Sequence, residues 1–125
     1  MMPDTFADLY RGSLKDVFLE HAQRDLEQGA DAFMSADAYA EQGKPEFTLA
    51  YLLFLDVDDG VKRDLLAYAY ERRASLSEEK AESFDKQFHR PFPLIKLEAQ
   101  KDRAAAQQVR QGRRIRREVK SLHVN

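Results

Sequence analysis

Apolar side chains along this chain recur at steps of three and four almost everywhere, and one stretch departs from that rule. Phe47 to Leu55 (FTLAYLLFL) carries no charge, and Thr48 is its one polar side chain. A segment apolar all round demands partners all round. Nine residues are far short of the roughly 20 needed to span a bilayer. Leu and Ala dominate, and neither Val nor Ile is present, which favours helix over strand. Pro45 and Glu46 suit a first helical turn. The pattern predicts a central helix over 45–57, surrounded by the rest of the chain.

The other segments read as amphipathic helices. Thr5 with Asp8 three residues on marks a short first helix burying Phe6, Leu9 and Tyr10, broken at Gly12. Leu14, Phe18, Ala22, Leu26, Gly29, Phe33, Ala36 and Ala40 form one stripe. They predict a helix from Ser13, as N-cap, to Gln42, about 43 Å long, with Gly29 as the place where it would kink into two. Gly43 and Pro45 end it. Asp56–Gly60 is a turn offering Asp58 or Asp59 as the next N-cap. Val61–Ala74 follows, with Val61, Leu65, Tyr68 and Ala69 inward. SLSEEK reads as a turn and restart, Ser77 capping a helix to His89 that buries Ala81, Phe84 and Phe88. Arg90–Pro93 must be extended, because each residue before a proline is pushed out of the α region. Leu94–Leu122 is predicted as a last helix, with Leu94, Leu97, Ala104, Ala105, Ile115, Val119 and Leu122 on its apolar side.

These elements predict an all-α domain of five to six helices, a compact bundle or stacked helical hairpins, with a long basic C-terminal helix. The 125 residues suit one modest core. Cysteine is absent, which removes thiol chemistry and cysteine zinc sites. The first twenty residues lack the basic start and apolar stretch of a signal peptide, so a cytoplasmic setting is expected. Charge divides the chain. Residues 1–100 hold 12 Lys and Arg against 20 Asp and Glu, and residues 101–125 hold 8 against 2. An acidic helical domain (1–100) therefore carries a basic helical arm (101–125).

Two motifs carry candidate chemistry. LLFLDVDDGV (52–61) resembles the nucleophile motif of haloacid-dehalogenase-type phosphatases. The resemblance implies Asp56 as nucleophile, Asp58 as general acid and a magnesium ion. The extra Asp59, the missing threonine and the helical pattern downstream depart from that family, which needs a parallel sheet. An acidic turn capping a helix is the reading kept. A calcium loop fails on spacing, since from Asp56 the glycine falls fifth and the twelfth residue is Ala67. Histidines 21, 89 and 123 share no ligand or catalytic spacing. His21 reads as a core-edge residue, and His89 could sit in a groove. No metal or cofactor is expected.

Ser35–Asp59 resembles a degenerate tetratricopeptide repeat through Ala38, Tyr39, Gly43 and Ala50. A shift of 31 residues aligns Ala36 with Ala67, Ala38 with Ala69, Tyr39 with Tyr70, Ala50 with Ala81 and Leu53 with Phe84. The family period is about 34, and Gly43 is matched by Ala74. The resemblance implies a groove that binds a protein segment and no catalysis.

Arg110, Arg113, Arg114, Arg117 and Lys120 would share about a third of a helix circumference, opposite Ile115, Val119 and Leu122. Such a helix meets nucleic acid, an anionic membrane or a partner groove. Its thin apolar side predicts weak attachment after about Arg110. The expected function is a non-catalytic protein–protein interaction module (an adaptor, small assembly subunit or regulatory partner), its partner another protein or a second copy. The alternative is a nucleic-acid-associated protein that binds phosphates through these basic residues. An enzyme ranks third, because nothing assembles a nucleophile, base and oxyanion stabiliser.

Overall fold

A computed structural model describes residues 4–115. Among these residues the regular elements are all helical: α1 (Phe6–Tyr10), α2 (Asp16–Glu27), α3 (Ala32–Glu41), α4 (Pro45–Leu52), α5 (Asp59–Phe88) and α6 (Pro93–Arg110), with a short 3-10 turn at Arg11–Ser13. The all-α expectation holds.

Glycine sets three of the helix ends. Gly29, Gly43 and Gly112 all have positive φ, at 99°, 69° and 69°. Each makes the same two-bond stop, for example Lys44 N–H to Tyr39 O and Gly43 N–H to Ala40 O, both 3.0 Å. At Gly29 this divides the expected 13–42 helix into α2 and α3. Asp31 then restarts the chain by accepting from the Met34 N–H at 2.8 Å. The N-terminal boundary also moves, since Ser13 belongs to the 3-10 turn and Lys15 is the N-cap of α2.

The apolar run forms α4 and the turn after it. Pro45 and Thr48 to Leu52 are buried, and Thr48 returns its hydroxyl to the Lys44 carbonyl at 3.0 Å. The helix stops at Leu52, and Phe54 emerges 46% exposed. The run is therefore enclosed over its first two turns and open at its end.

α5 is one helix of 30 residues, about 45 Å long. Asp58 caps it, accepting from the Gly60 N–H at 2.9 Å. The expected break at 75–77 does not occur. SLSEEK contains neither Gly nor Pro, and α6 lies along this part of α5. The residues at the seam follow heptad steps: Ala74, Ala81, Phe84 and Phe88 on α5, with Phe92 just before α6 and Ile95, Ala99, Asp102, Ala106 and Val109 on it. The alanines, Asp102 and Val109 are buried. Small residues at such a seam let two helices approach closely. The apolar side expected for α6 is rotated accordingly, and Leu94 is 67% exposed. His89, in the left-handed conformation at φ 56°, ends α5. Extended Phe92 leads into Pro93 at the start of α6.

α3 and α4 form a hairpin against α5, α2 covers α4, and α1 lies against α5. Phe6, Tyr10, Leu49–Leu52, Leu66, Ala67, Tyr70, Ala105, Ala106 and Val109 belong to one core cluster. Its α5 members stop at Tyr70, and its α6 members begin at Ala105. The far part of the α5–α6 hairpin thus lies beyond the core. From Glu82 to Leu94 every residue is exposed except the half-buried Phe84 and Phe92.

Candidate interaction surfaces

Only the start of the expected basic helix lies among the described residues. α6 stops at Gly112, so Arg113 and Arg114 leave its helical path, and Arg117 and Lys120 lie outside the described residues. Arg110 is engaged by Glu71 at 2.7 Å. The buried Tyr10 hydroxyl donates to the Arg113 carbonyl at 2.8 Å. Ile115 packs against the core cluster, lining a cleft with Leu14, Leu49 and Tyr70. Residues 113–115 are thus seated on the body, against the expected loosening after Arg110. The Arg113 and Arg114 side chains line a cleft of about 450 Å³ with Asp4, Leu9 and Gln108. Asp8 is held below the usual carboxylate range by the Thr5 N–H and hydroxyl, with Arg114 adding a smaller pull.

The acidic turn is used structurally. Asp58 caps α5, Asp59 accepts the Phe6 N–H at 3.1 Å, and Asp56 is exposed. Among the described residues no three His, Asp or Glu side chains assemble as a metal-ligand set.

His21 sits at the edge of an aromatic stack. Tyr39 and Phe47 stack at 4.8 Å, Tyr39 and Tyr51 at 5.6 Å, and His21 meets all three edge-on. Its Nε2 lies 3.3 Å from the Tyr39 hydroxyl. Tyr51 donates to Asp25 at 2.5 Å. Burial first, and then the Asp25 carboxylate, push the Tyr51 hydroxyl well above the ordinary phenol value. This set fastens α2, α3 and α4 together. His89 is exposed at the hairpin turn.

One partly buried polar cluster carries no motif in the sequence. Arg73 binds Asp102 through Nε and Nη2, both at 2.9 Å, and reaches Glu46 through Nη1 at 3.0 Å. Burial alone would lower the Arg73 pKa, but the two carboxylates outweigh it and raise it. Asp102 occupies a heptad position between Ala99 and Ala106, and that period was the signal available for finding it.

Among the described residues several apolar side chains stand in water, Val17, Phe33 and Met34 included, and two surfaces combine them with a cluster or a groove. The hairpin apex gathers Phe84, Phe88 and Phe92, with ring centres 5.4–5.8 Å apart, beside exposed Leu94. Phe88 is 52% exposed. Away from the apex residues, α1, Arg11, α2 and the end of α4 line an open groove of about 430 Å³. Leu19, Leu53 and Phe54 are among its lining residues, with Asp16 and Glu20 along one wall.

The stretch that resembles a tetratricopeptide repeat forms a real helical hairpin, α3–α4, closed at Gly43. The aligned stretch 31 residues later lies on unbroken α5, where Ala74 occupies the middle of a helix. No helix among the described residues is long and apolar enough to cross a membrane. No family model matches the chain, and no curated protein or solved structure matches it.

Proposed function

We propose that this chain is a non-catalytic protein-binding module, an adaptor or small assembly subunit, that presents the α5–α6 hairpin to a partner. One observation carries the reading: the apex places Phe88, Leu94 and the edges of Phe84 and Phe92 in water, beyond the core. Monomers rarely leave such a contiguous apolar patch uncovered, and patches of this kind mark contact sites. Aromatic side chains at a protruding tip suit the anchoring role that a few residues play in an interface. Arg90, 4.7 Å over the Phe92 ring, and Lys80, 5.5 Å over Phe84, put cations around the patch as a polar rim. The α3–α4 hairpin supports a tetratricopeptide-like role in the body only as far as that one hairpin.

The test is Phe88→Ser with Leu94→Ser in the full chain. Both positions are exposed, so the melting temperature should stay within a few degrees of wild type. A protein that co-purifies in stoichiometric amount with wild type should be lost from the double variant. Binding of duplex DNA that persists in the double variant, and disappears in Arg113→Gln with Arg114→Gln, would favour the nucleic-acid reading instead.

A further inference from the structure

The groove between α1, α2 and the end of α4 is separate from the hairpin apex, and its chemistry selects a different ligand. Phe54, nearly half exposed, and Leu53 stand at the end of an otherwise enclosed apolar run. Beside them, α2 presents Asp16, Glu20, Gln23 and Glu27 at steps of four, three and four, all exposed. That spacing places them on one side of the helix, above Leu19. Arg11 also lines the groove and offsets the Asp16 charge through a 3.0 Å contact, which leaves Glu20 as the carboxylate free to meet a cation. Glu20 stands one turn further on. The wider surface has the same sign, since residues 1–60 carry 13 Asp and Glu against 4 Lys and Arg.

We propose that this groove binds a basic amphipathic helix of a partner protein. Its apolar stripe would cover Leu53 and Phe54, and its Lys or Arg side chains would face Glu20. An apolar floor with one acidic wall is the complement of such a helix. The α2 residues that line the groove run from Asp16 to Gln23, a wall of about 10 Å with room for two turns of ligand. The acidic wall orients the ligand and speeds encounter, while the apolar floor sets the lifetime of the complex.

The probe is a fluorescent 14-residue helical peptide with Leu at helical spacing and Lys on both flanks, titrated into the full chain and followed by anisotropy. The expected result is saturable binding that weakens with added salt. Phe54→Ser and Glu20→Lys should each weaken it by about tenfold or more. Phe88→Ser with Leu94→Ser should leave it unchanged, which separates this site from the hairpin. A control peptide with Glu in place of Lys should not bind. Equal affinity in wild type, Phe54→Ser and Glu20→Lys would overturn the proposal. So would binding that appears only after residues 116–125 are removed, which would assign the groove to the chain's own basic end. A concentration-dependent dimer abolished by Phe54→Ser would also overturn it, assigning the groove to a second copy.

Discussion

Arg73 holds Asp102 through two parallel hydrogen bonds of 2.9 Å, and Asp102 is only 2% exposed. The pair sits in the alanine seam between α5 and α6, and Glu46 extends it to the start of α4. Three helices therefore share one guanidinium.

Removing one charge strands the other, which costs about 3–5 kcal/mol for a fully buried pair. Arg73 keeps Glu46 and some contact with water, so we expect Asp102→Ala to cost about 2–4 kcal/mol in urea unfolding. The double variant Arg73→Met, Asp102→Leu should lose less than the sum of the two singles. Additive losses would show that the pair is not coupled.

Gly43 and Gly112 share φ 69° but differ in surroundings. A Cβ on Gly43 would lie 2.9 Å from the Arg73 nitrogen and 3.0 Å from its Cα, whereas one on Gly112 would meet nothing within 4 Å. Gly112→Ala should therefore cost only the backbone strain, about 1–2 kcal/mol. Gly43→Ala should cost clearly more, about 3 kcal/mol or above, because α5 backbone must also move. Thermal melts of the two variants side by side make the comparison, and equal shifts would contradict it.

These two contrasts show how far the sequence could be read. Periodicity located every apolar segment, and Gly43 with Pro45 was readable as a stop. Gly29 and Gly112 make the same stop without a following proline, and only Gly29 lies within an apolar stripe long enough to invite a kink. The seam was harder. Ala99 and Ala106 contribute little hydrophobicity, and a buried Asp102 contradicts any hydropathy rule, so Leu94 and Leu97 drew the helix face the wrong way. Ser77 resembled a cap because the partner helix that holds this part of α5 straight is remote in sequence. Phe54 looked buried by its neighbours' character, and its exposure follows from α4 ending at Leu52.

The hub shows a similar contrast. Leu52 is fully buried and Leu53 only half-buried. Leu52→Asp should unfold the domain, since a buried unpaired carboxylate costs several kcal/mol against a total of about 5–15. Leu53→Asp should remain folded with a lowered melting temperature. Identical behaviour of the two in circular dichroism would show that the end of α4 is not open to water.

Three tyrosines should titrate late. Burial raises the hydroxyl pKa of Tyr10, and burial with Asp25 raises that of Tyr51. For Tyr68 the hydrogen bond to the Glu41 carboxylate acts first. A raised folded pKa means that the folded chain holds the proton more tightly than the unfolded chain. This contribution to stability is complete below about pH 10, the unfolded phenol value, and is lost as pH rises through the higher folded values. Ultraviolet titration should show these three hydroxyls forming phenolate only above pH 10, Tyr68 while the chain is still helical. Phenolate from Tyr10, Tyr51 and Tyr68 at pH 10 in a folded protein, assigned by Tyr→Phe variants, would contradict this.

Ending the chain at Gly112 removes the Arg113 carbonyl from Tyr10 and Ile115 from Leu14. That truncation should cost about 2 kcal/mol in urea unfolding and still leave a folded domain. Ending it at Ile115 should cost much less, and equal losses would mean that the contacts of 113–115 contribute nothing.

The Tyr10–Arg113 bond also sets an order of events. Its two ends are 103 residues apart, and the Phe6–Asp59 bond spans 53. α1 is made first, yet its polar partners come from the start of α5 and from beyond the end of α6. At roughly 5–20 residues per second, about 5–20 s of synthesis separate Tyr10 from Arg113. Five residues do not hold a helix in water over that interval. α1 therefore completes its polar contacts only once Arg113 has been made, well after the Asp59 carboxylate is in place.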